Sequence, residues 1–184
     1  MLTDRMRATV TGLERQKVEI LGRVKDWSTD GLAYRPAPEE WSATEVIDHL
    51  AKVEQGILAA VRRGMLTPQS VGATDRLRSF LIYLLFRTRA RVRVPRAAAE
   101  VLPDRRAELA AVVTRWDATR AELLALVNEV DAGALNAGVF RHPVSGWMTL
   151  PQVLRFFSVH MHHHEFQLQR IAARAEEQPR ARSR

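Results

Sequence analysis

The chain has 184 residues, of which 46% are hydrophobic and 27% are charged, and it carries a formal net charge of +7 at pH 7. This length and composition are typical of one globular domain with a sizeable core. The chain has no cysteine, which excludes disulfides, thiolate metal ligands and a cysteine nucleophile, so histidine and carboxylate must supply any metal ligands.

The first ten residues are charged at Asp4, Arg5 and Arg7 and lack the apolar stretch of a signal peptide. The longest apolar run, 80–86, is far shorter than the roughly 20 residues that a membrane-spanning helix needs. Together these features predict a cytoplasmic protein without a membrane span.

A first long amphipathic helix is predicted from Thr3 to about Lys25, because apolar residues recur there at helical spacing. Residues 28–31 are predicted to end this helix. Residues 34–38, with two prolines, are predicted to form an extended connector.

A second long helix is predicted to begin after Ser42, since Ser42 and Glu45 match a capping box. It continues along a stripe of apolar residues to Arg63 and Gly64, which indicate its end. His49 borders this stripe, so one imidazole is expected beside the core.

Residues 65–103 have a looser pattern and resemble an insertion, with a shorter helix predicted at 74–88 and an arginine-rich connector at 91–103. The apolar run 80–86 has three interpretations. It can pack on the bundle, form a homodimer contact through the segment 74–96, or touch a membrane surface. Packing on the bundle is the simplest of the three.

The basic charge is almost entirely arginine, and arginine pairs well with phosphate and carboxylate. Nucleic acid and acidic substrates are therefore candidate ligands. The arginines are spread widely, however, and in the densest stretch, 76–96, few aromatic residues are interleaved to stack on bases. This pattern argues against nucleic acid.

A third long helix is predicted to begin with Asp104 as its N-cap and to end at 131–133, and a loop is predicted at 136–148. Thr149 then caps a fourth helix with Pro151 in its first turn. The sequence predicts an all-α fold, an antiparallel four-helix bundle with a short extra helix inserted between helices two and three. The bundle domain is predicted to span 1–175, with a disordered basic tail at 176–184.

Four of the six histidines fall within residues 160–164 of the fourth helix. His160 and His164 are four residues apart, so they share one helix face and can bind one metal ion. His49 on the second helix can supply a third nitrogen. The alternative is that each histidine is a core residue satisfied by a neighbour, with His162 and His163 simply exposed.

Two segments resemble the DinB-like superfamily, the damage-inducible and YfiT-like four-helix proteins. One is Trp41-Ser42 followed by His49-Leu50, and the other is the pattern His160-x-x-His163-His164-x-x-Gln167. The loop 142–149, with His142-Pro143 and Gly146, resembles the family's entry into its last helix.

The resemblance implies a bundle that holds a divalent metal ion by three histidines, which in this sequence are His49, His160 and His164. It places His163 in the outer shell or at the surface, and His162 has no counterpart in the family. Histidine suits zinc, nickel, iron and copper alike, so the metal is not specified.

Metal-bound histidines usually donate their second ring N–H to a carboxylate or carbonyl. Glu45, Asp48 and Glu165 are candidates for this role, although capping or solvent-facing roles are the simpler interpretation. Gln167 is most simply a hydrogen-bonding residue at or between helix surfaces. His142 is either a gate to the site or an exposed turn residue.

Characterised branches of the family that the sequence resembles include metal-dependent hydrolases and transferases that use low-molecular-weight thiols. The resemblance thus implies a metal-dependent enzyme that acts on a small-molecule substrate. Such an enzyme activates either a thiol, which it transfers to the substrate, or water, which hydrolyses the substrate. The alternative is a non-catalytic, stress-related bundle that binds a ligand or metal.

Overall fold

The computed structural model describes residues 2–92 and 96–177. The long helices are α1 (Leu2–Val24), α3 (Ala43–Gly64), α5 (Leu109–Glu129) and α6 (Leu150–Glu176), and the short ones are α2 (Thr29–Ala33) and α4 (Ala73–Phe86). Two 3-10 turns lie at Arg96–Val101 and Ala132–Asn136, and the strands β1 (Gly138–His142) and β2 (Gly146–Thr149) precede α6. The predicted four-helix bundle with an extra helix between its second and third long helices is confirmed.

The four long helices do not pack in the order in which they occur along the chain. α1 packs against α5 and α6, and α3 packs against the same two helices. Consequently α1 lies diagonally across the bundle from α3, and α5 lies across from α6. This arrangement places α3 beside α6, the two helices that carry the predicted ligands.

The starts of α3 and α6 follow from their capping residues. The Ser42 hydroxyl accepts from the Glu45 amide while the Glu45 carboxylate accepts from the Ser42 amide, and Thr149 and Gln152 form the same reciprocal pair. Each cap satisfies amides that the first helical turn leaves without partners and contributes about 1 kcal/mol. Both predicted starts are confirmed.

The predicted N-cap of the third long helix is wrong. α5 begins at Leu109, five residues after Asp104. The Asp104 amide instead donates to Asp48 on α3, and its own carboxylate accepts from the Arg106 amide in a local turn. Asp104, which local capping rules assign to the start of the helix, therefore contacts α3 instead.

Residues 136–148, predicted as a loop, contain an antiparallel hairpin. β1 pairs with β2 so that Phe140 lies opposite Met148 and His142 opposite Gly146. Gly146 has φ +78, a conformation that favours glycine, and an added Cβ there would also overlap the Asp75 carboxylate. Two strands of five and four residues are too short for their alternation to stand out in the sequence.

The short helix α2 was also missed, since residues 28–31 were predicted only as the end of the first helix. The Ser28 hydroxyl accepts from the Gly31 amide and thereby caps this additional turn of helix. α2 packs against α3 just before the connector that leads to Trp41.

The apolar run 80–86 has two sides. Ile82, Tyr83 and Phe86 are buried, as packing on the bundle requires, and the Tyr83 hydroxyl donates to the Gln152 carbonyl. The other side, which includes Phe80, Leu81, Leu84 and Leu85, is 41–54% exposed. The packing interpretation therefore holds for only half of the run.

α3 meets α5 through buried charges rather than through apolar residues alone. Glu54 accepts from the Arg120 guanidinium at 2.7 Å and from the Trp116 indole at 2.8 Å, and all three side chains are buried. Nearer the start of α3, buried Asp48 pairs with Arg115 and with Lys52.

Within the part of the chain that the structure describes, no helix combines the length and apolarity that crossing a bilayer requires. The domain division at 175 stays a prediction. α6 continues to Glu176, and residues 178–184 of the predicted tail lie outside the described residues.

Candidate metal centre

The three predicted ligands meet between α3 and α6. His49, His160 and His164 each offer a ring nitrogen, and these nitrogens all lie within 4.8 Å of one another. The Nε2 atoms of His160 and His164 are 3.1 Å apart, as expected for residues four apart on one helix. All three side chains are buried, with exposures of 3%, 6% and 6%.

Two hydrogen bonds fix which nitrogen of the ring faces this cluster. His49 donates from Nδ1 to the Val101 carbonyl at 2.7 Å, and His164 donates from Nδ1 to the Gln167 side-chain oxygen at 2.8 Å. Because a neutral imidazole carries one proton, Nε2 of each ring keeps its lone pair. The Nε2 lone pair of His164 accepts from Nε2 of His160 at 3.1 Å, a contact that a bound ion would replace.

Burial keeps these imidazoles neutral. It lowers the pKa of His49 from 6.5 to about 4, against the opposing effect of the hydrogen bond to Val101. Burial, followed by the proximity of His164 and His49, lowers the pKa of His160 well below its ordinary value. Burial and then His49 do the same for the pKa of His164. At pH 7 the cluster therefore presents uncharged nitrogen donors.

Aromatic side chains surround the cluster and account for its low polarity. The Trp41 ring lies 4.8 Å from that of His49 and 6.2 Å from that of His164. Phe156 stacks on His160 at 5.3 Å with an interplanar angle of 13°, and Phe86 lies 5.4 Å from the same ring. These rings shield the imidazoles from bulk water on several sides.

The cluster lies on the wall of a cavity of about 640 Å³. All three histidines line it together with Trp41, Phe86, Val101, Phe140, Phe156 and Gln167. This volume is within the range of small-molecule sites, which are mostly apolar with a few polar groups that fix the ligand's orientation.

The other histidines of α6 differ from the trio. His163 is buried against Phe86, with ring centroids 5.1 Å apart, so the interpretation of a surface position is wrong. His162 is 42% exposed and lies 3.4 Å from the Glu165 carboxylate. His162 thus shares the helix but not the site.

His142 lies at the end of β1 and lines the same cavity. Its Nδ1 accepts hydrogen bonds from the Val144 and Ser145 amides, both at 3.1 Å. Burial lowers the pKa of this imidazole to about 4, so the ring is neutral and its proton is on Nε2. His142 is therefore a half-buried residue of the cavity wall, and the interpretation of an exposed turn residue is wrong.

Glu45, Asp48 and Glu165 have partners other than the three histidines, and for Glu45 the capping role that was the simpler interpretation is the one observed. Glu45 caps α3 and pairs with Arg35, and Asp48 pairs with Arg115. Glu165 contacts His162. The position of Gln167, three residues after His164, was the available signal for one true partner, whereas nothing in the sequence indicates the carbonyl of Val101, which is 52 residues from His49.

Residues 13–168 match the model of the DinB superfamily. The chain belongs to the DinB superfamily. Among solved structures, this DinB chain is similar to YfiT from Bacillus subtilis, with a TM-score of 0.58, 18% identity, and coverage of 95% of this chain and 87% of that one. No curated protein matches the sequence.

YfiT is described as "a probable metal-dependent hydrolase with an unusual four-helix bundle topology". At 18% identity the similarity of the DinB chain to YfiT shows a shared fold. The diagonal placement of α1 and α3, and of α5 and α6, is how this fold departs from a bundle whose successive helices are neighbours.

Proposed function

We propose that the protein is a metal-dependent enzyme whose divalent ion is held by His49, His160 and His164. The ion would activate water for hydrolysis, or a low-molecular-weight thiol for transfer, at the inner end of the cavity. One observation carries this proposal: three buried, neutral imidazoles converge, and two of them direct Nε2 inward.

The spacing of the donors fits an ion. Tetrahedral bonds of about 2.0–2.1 Å from nitrogen to metal place two nitrogens about 3.3 Å apart. The His160 and His164 nitrogens are 3.1 Å apart, and the His49 nitrogen lies within 4.8 Å of both. A small rotation of the His49 ring about its side-chain bonds would complete the set.

Three protein ligands are typical of catalytic sites, which keep one position open, whereas structural sites usually use four. The fourth side here opens to the cavity rather than to another donor. A bound ion would supply Lewis acidity that lowers the pKa of a water or thiol toward neutrality.

The surrounding residues would position the reactants. Val101 and Gln167 hold two imidazoles in one tautomer and orientation. Trp41, Phe86 and Phe156 limit water near the donors, which strengthens electrostatic interactions there. The description of YfiT as a metal-dependent hydrolase supports the hydrolytic form of the proposal.

Activity against a panel of activated esters and amides, and of low-molecular-weight thiols with an electrophilic acceptor, tests the proposal. We expect turnover that a chelator abolishes, and that His160→Ala abolishes as well. His162→Ala is the matched control, because His162 lies two residues away on α6 but outside the cluster.

Equal activity of wild type and His160→Ala would contradict the proposal. Stoichiometric metal without any turnover across the panel would favour the alternative, a non-catalytic bundle that binds a metal or ligand.

A further inference from the structure

The face of α6 that carries the histidines continues beyond them. His160, His163, His164, Gln167 and Arg170 all line the cavity, spaced three and four residues apart as one helix face requires. The chemistry changes along this face, from imidazoles to an amide to a guanidinium. Arg170 therefore stands on the same wall as the cluster, farther along the helix.

The distance between the two ends of this face is suited to a small molecule. Six residues separate His164 from Arg170, which corresponds to about 9 Å along the helix axis. An arginine side chain is longer than that of histidine, so it can span part of this distance. A ligand a few bonds long can reach from one to the other.

Among the described residues, no carboxylate pairs with Arg170. With the residues of 2–92 and 96–177 it forms no hydrogen bond or ion pair, although it is half-buried. Glu40, the acidic residue that acts on it, already pairs with Arg91 at 2.9 Å. Burial, then repulsion by Arg91, lowers the pKa of Arg170, and Arg89 adds to this repulsion.

The neighbouring arginines are already engaged. Arg91 bonds Glu40, and the Arg89 guanidinium lies over the Phe166 ring, 5.3 Å from its centroid. The cavity lining as a whole contains four arginines and three glutamates. Of these charged side chains, only Arg170 and Glu40 are half-buried, and the others are exposed at the rim.

We propose that Arg170 anchors an anionic oxygen group, a carboxylate or a phosphate, of a substrate whose reacting atom lies at the histidine cluster. This inference rests on the proposed function and narrows its substrates to small anionic molecules. A guanidinium forms paired hydrogen bonds with either group, which fixes the orientation of the ligand as well as its position. The anionic group supplies the counterion that Arg170 lacks among the described residues.

Binding of a matched set of probes to the zinc-loaded protein tests the inference. The probes are ω-mercaptoalkyl chains of several lengths that end in a carboxylate, a phosphate or an uncharged alcohol, and affinity is measured by calorimetry. We expect one of the two anions to bind about tenfold or more tightly than the alcohol of the same length, since hydrogen bonds to charged groups are strong. The better of the two identifies the group.

Two variants assign this preference to Arg170. Arg170→Gln is expected to remove the difference between anion and alcohol, while the alcohol binds both proteins equally. Arg174→Gln, one turn later on α6 and 61% exposed, is the matched control and is expected to keep the preference. Equal affinity for anions and alcohol in the wild type, or a preference that survives in Arg170→Gln, would overturn the inference.

The anchoring role of Arg170 and the proposed function can fail independently in these experiments. If no divalent ion, whether zinc, nickel or iron, binds, the proposed function fails, and the metal-free protein is titrated with alkanoates, alkyl phosphates and alcohols instead. An anion preference that Arg170→Gln removes would then still support the anchor, and its absence would refute it. If an ion binds but the anion preference is missing, the anchor alone is wrong.

Discussion

α3 buries polar side chains on two sides, and the two sides differ in whether the protein satisfies them. Toward α5, the Glu54 carboxylate is saturated by Arg120 and Trp116. Toward α6, His49 uses only one ring nitrogen within the fold and leaves the other facing two more imidazoles. On the first side the carboxylate has its partners within the fold, although Nε and Nη1 of Arg120 have none among the described residues. On the second side the Nε2 lone pair of His49 faces the cluster.

This difference distinguishes residues that stabilise the bundle from residues that bind a ligand. Buried charges that are paired belong to the fold, since removing one partner leaves the other desolvated and alone. Buried neutral donors that converge without a shared partner belong to a site. Substitutions on the α5 side should therefore lower the stability of the fold and leave metal binding intact. Substitutions on the α6 side should reduce metal binding.

The largest effect on stability is expected on the α5 side. Glu54→Ala leaves the Arg120 guanidinium buried without its carboxylate, and should lower the free energy of unfolding by about 3–5 kcal/mol. Denaturant titration of the metal-free protein measures this loss. Gln55→Ala, at the exposed neighbouring position of α3, should change it by no more than about 0.5 kcal/mol.

A double substitution sharpens the same point. Replacing both partners, Glu54→Leu with Arg120→Met, removes the charges together and should cost much less than Glu54→Ala alone. A double variant as unstable as the single one would show that the ion pair itself, rather than the unpaired charge, sustains the contact between α3 and α5.

The next effect is metal-induced stabilisation. An ion that binds only the folded chain should raise the free energy of unfolding by about 2.7 kcal/mol when its free concentration is 100 times Kd. His49→Ala should abolish this increase, whereas Glu54→Gln, if it folds, should retain it. Thermal unfolding with and without added zinc measures the effect, and an undiminished increase in His49→Ala would contradict the assignment of this ligand.

A smaller effect is expected from Gln167, which orients a ligand without contacting the ion. Gln167→Leu should weaken metal affinity by about 10–100-fold, because the His164 ring loses the acceptor that holds its tautomer. Competition with a chromogenic chelator measures the affinity. The exposed Gln169→Leu, two residues along α6, is the control and should bind metal as tightly as the wild type.

The smallest effect concerns acid stability and His142, the half-buried imidazole of the cavity wall. Its folded pKa of about 4 is below the ordinary 6.5, so the unfolded chain binds the proton first as the pH falls. The stability it contributes is present above pH 6.5 and is lost as the pH falls toward 4, with a slope of up to about 1.4 kcal/mol per pH unit.

His142→Gln should reduce the slope of this part of the pH profile of unfolding in the metal-free protein by up to about 1.4 kcal/mol per pH unit. The remaining slope comes from the buried imidazoles of the cluster, whose pKa values are also lowered. Gln169→Leu, which changes no titratable group, should leave the slope unchanged. An identical slope in the wild type and in His142→Gln would show that the proton is bound elsewhere. Urea titrations at intervals between pH 4 and pH 6.5 supply the measurement.

The sequence predicted those features that depend on local chemistry. The Ser42 and Thr149 caps are pairs of residues three apart, and His160 and His164 lie one helical turn apart, so short-range spacing was sufficient. The convergence of His49 with the other two was predicted from an apolar stripe and from a family resemblance. Both kinds of information pointed to side chains that lie close together in the structure.

The features that the sequence did not predict depend on contacts between distant residues. Asp104 fails as a cap because Asp48, 56 residues earlier, binds its amide. The Val101 carbonyl orients His49 from a 3-10 turn inside a segment predicted only as an arginine-rich connector. The sequence does not distinguish Arg170 from the other arginines, because only the fold shows that it lines the cavity without an ion-pair partner among the described residues.

The most direct measurement is the metal content of untagged protein from metal-replete medium, together with X-ray absorption spectroscopy of the bound ion. We predict one divalent ion per chain with three imidazole ligands at about 2.0–2.1 Å, the distance expected if the ion is zinc, and its loss in His49→Ala but not in His162→Ala. A metal-free wild type, or an ion retained in full by His49→Ala, would contradict the assignment of a metal centre to these three residues.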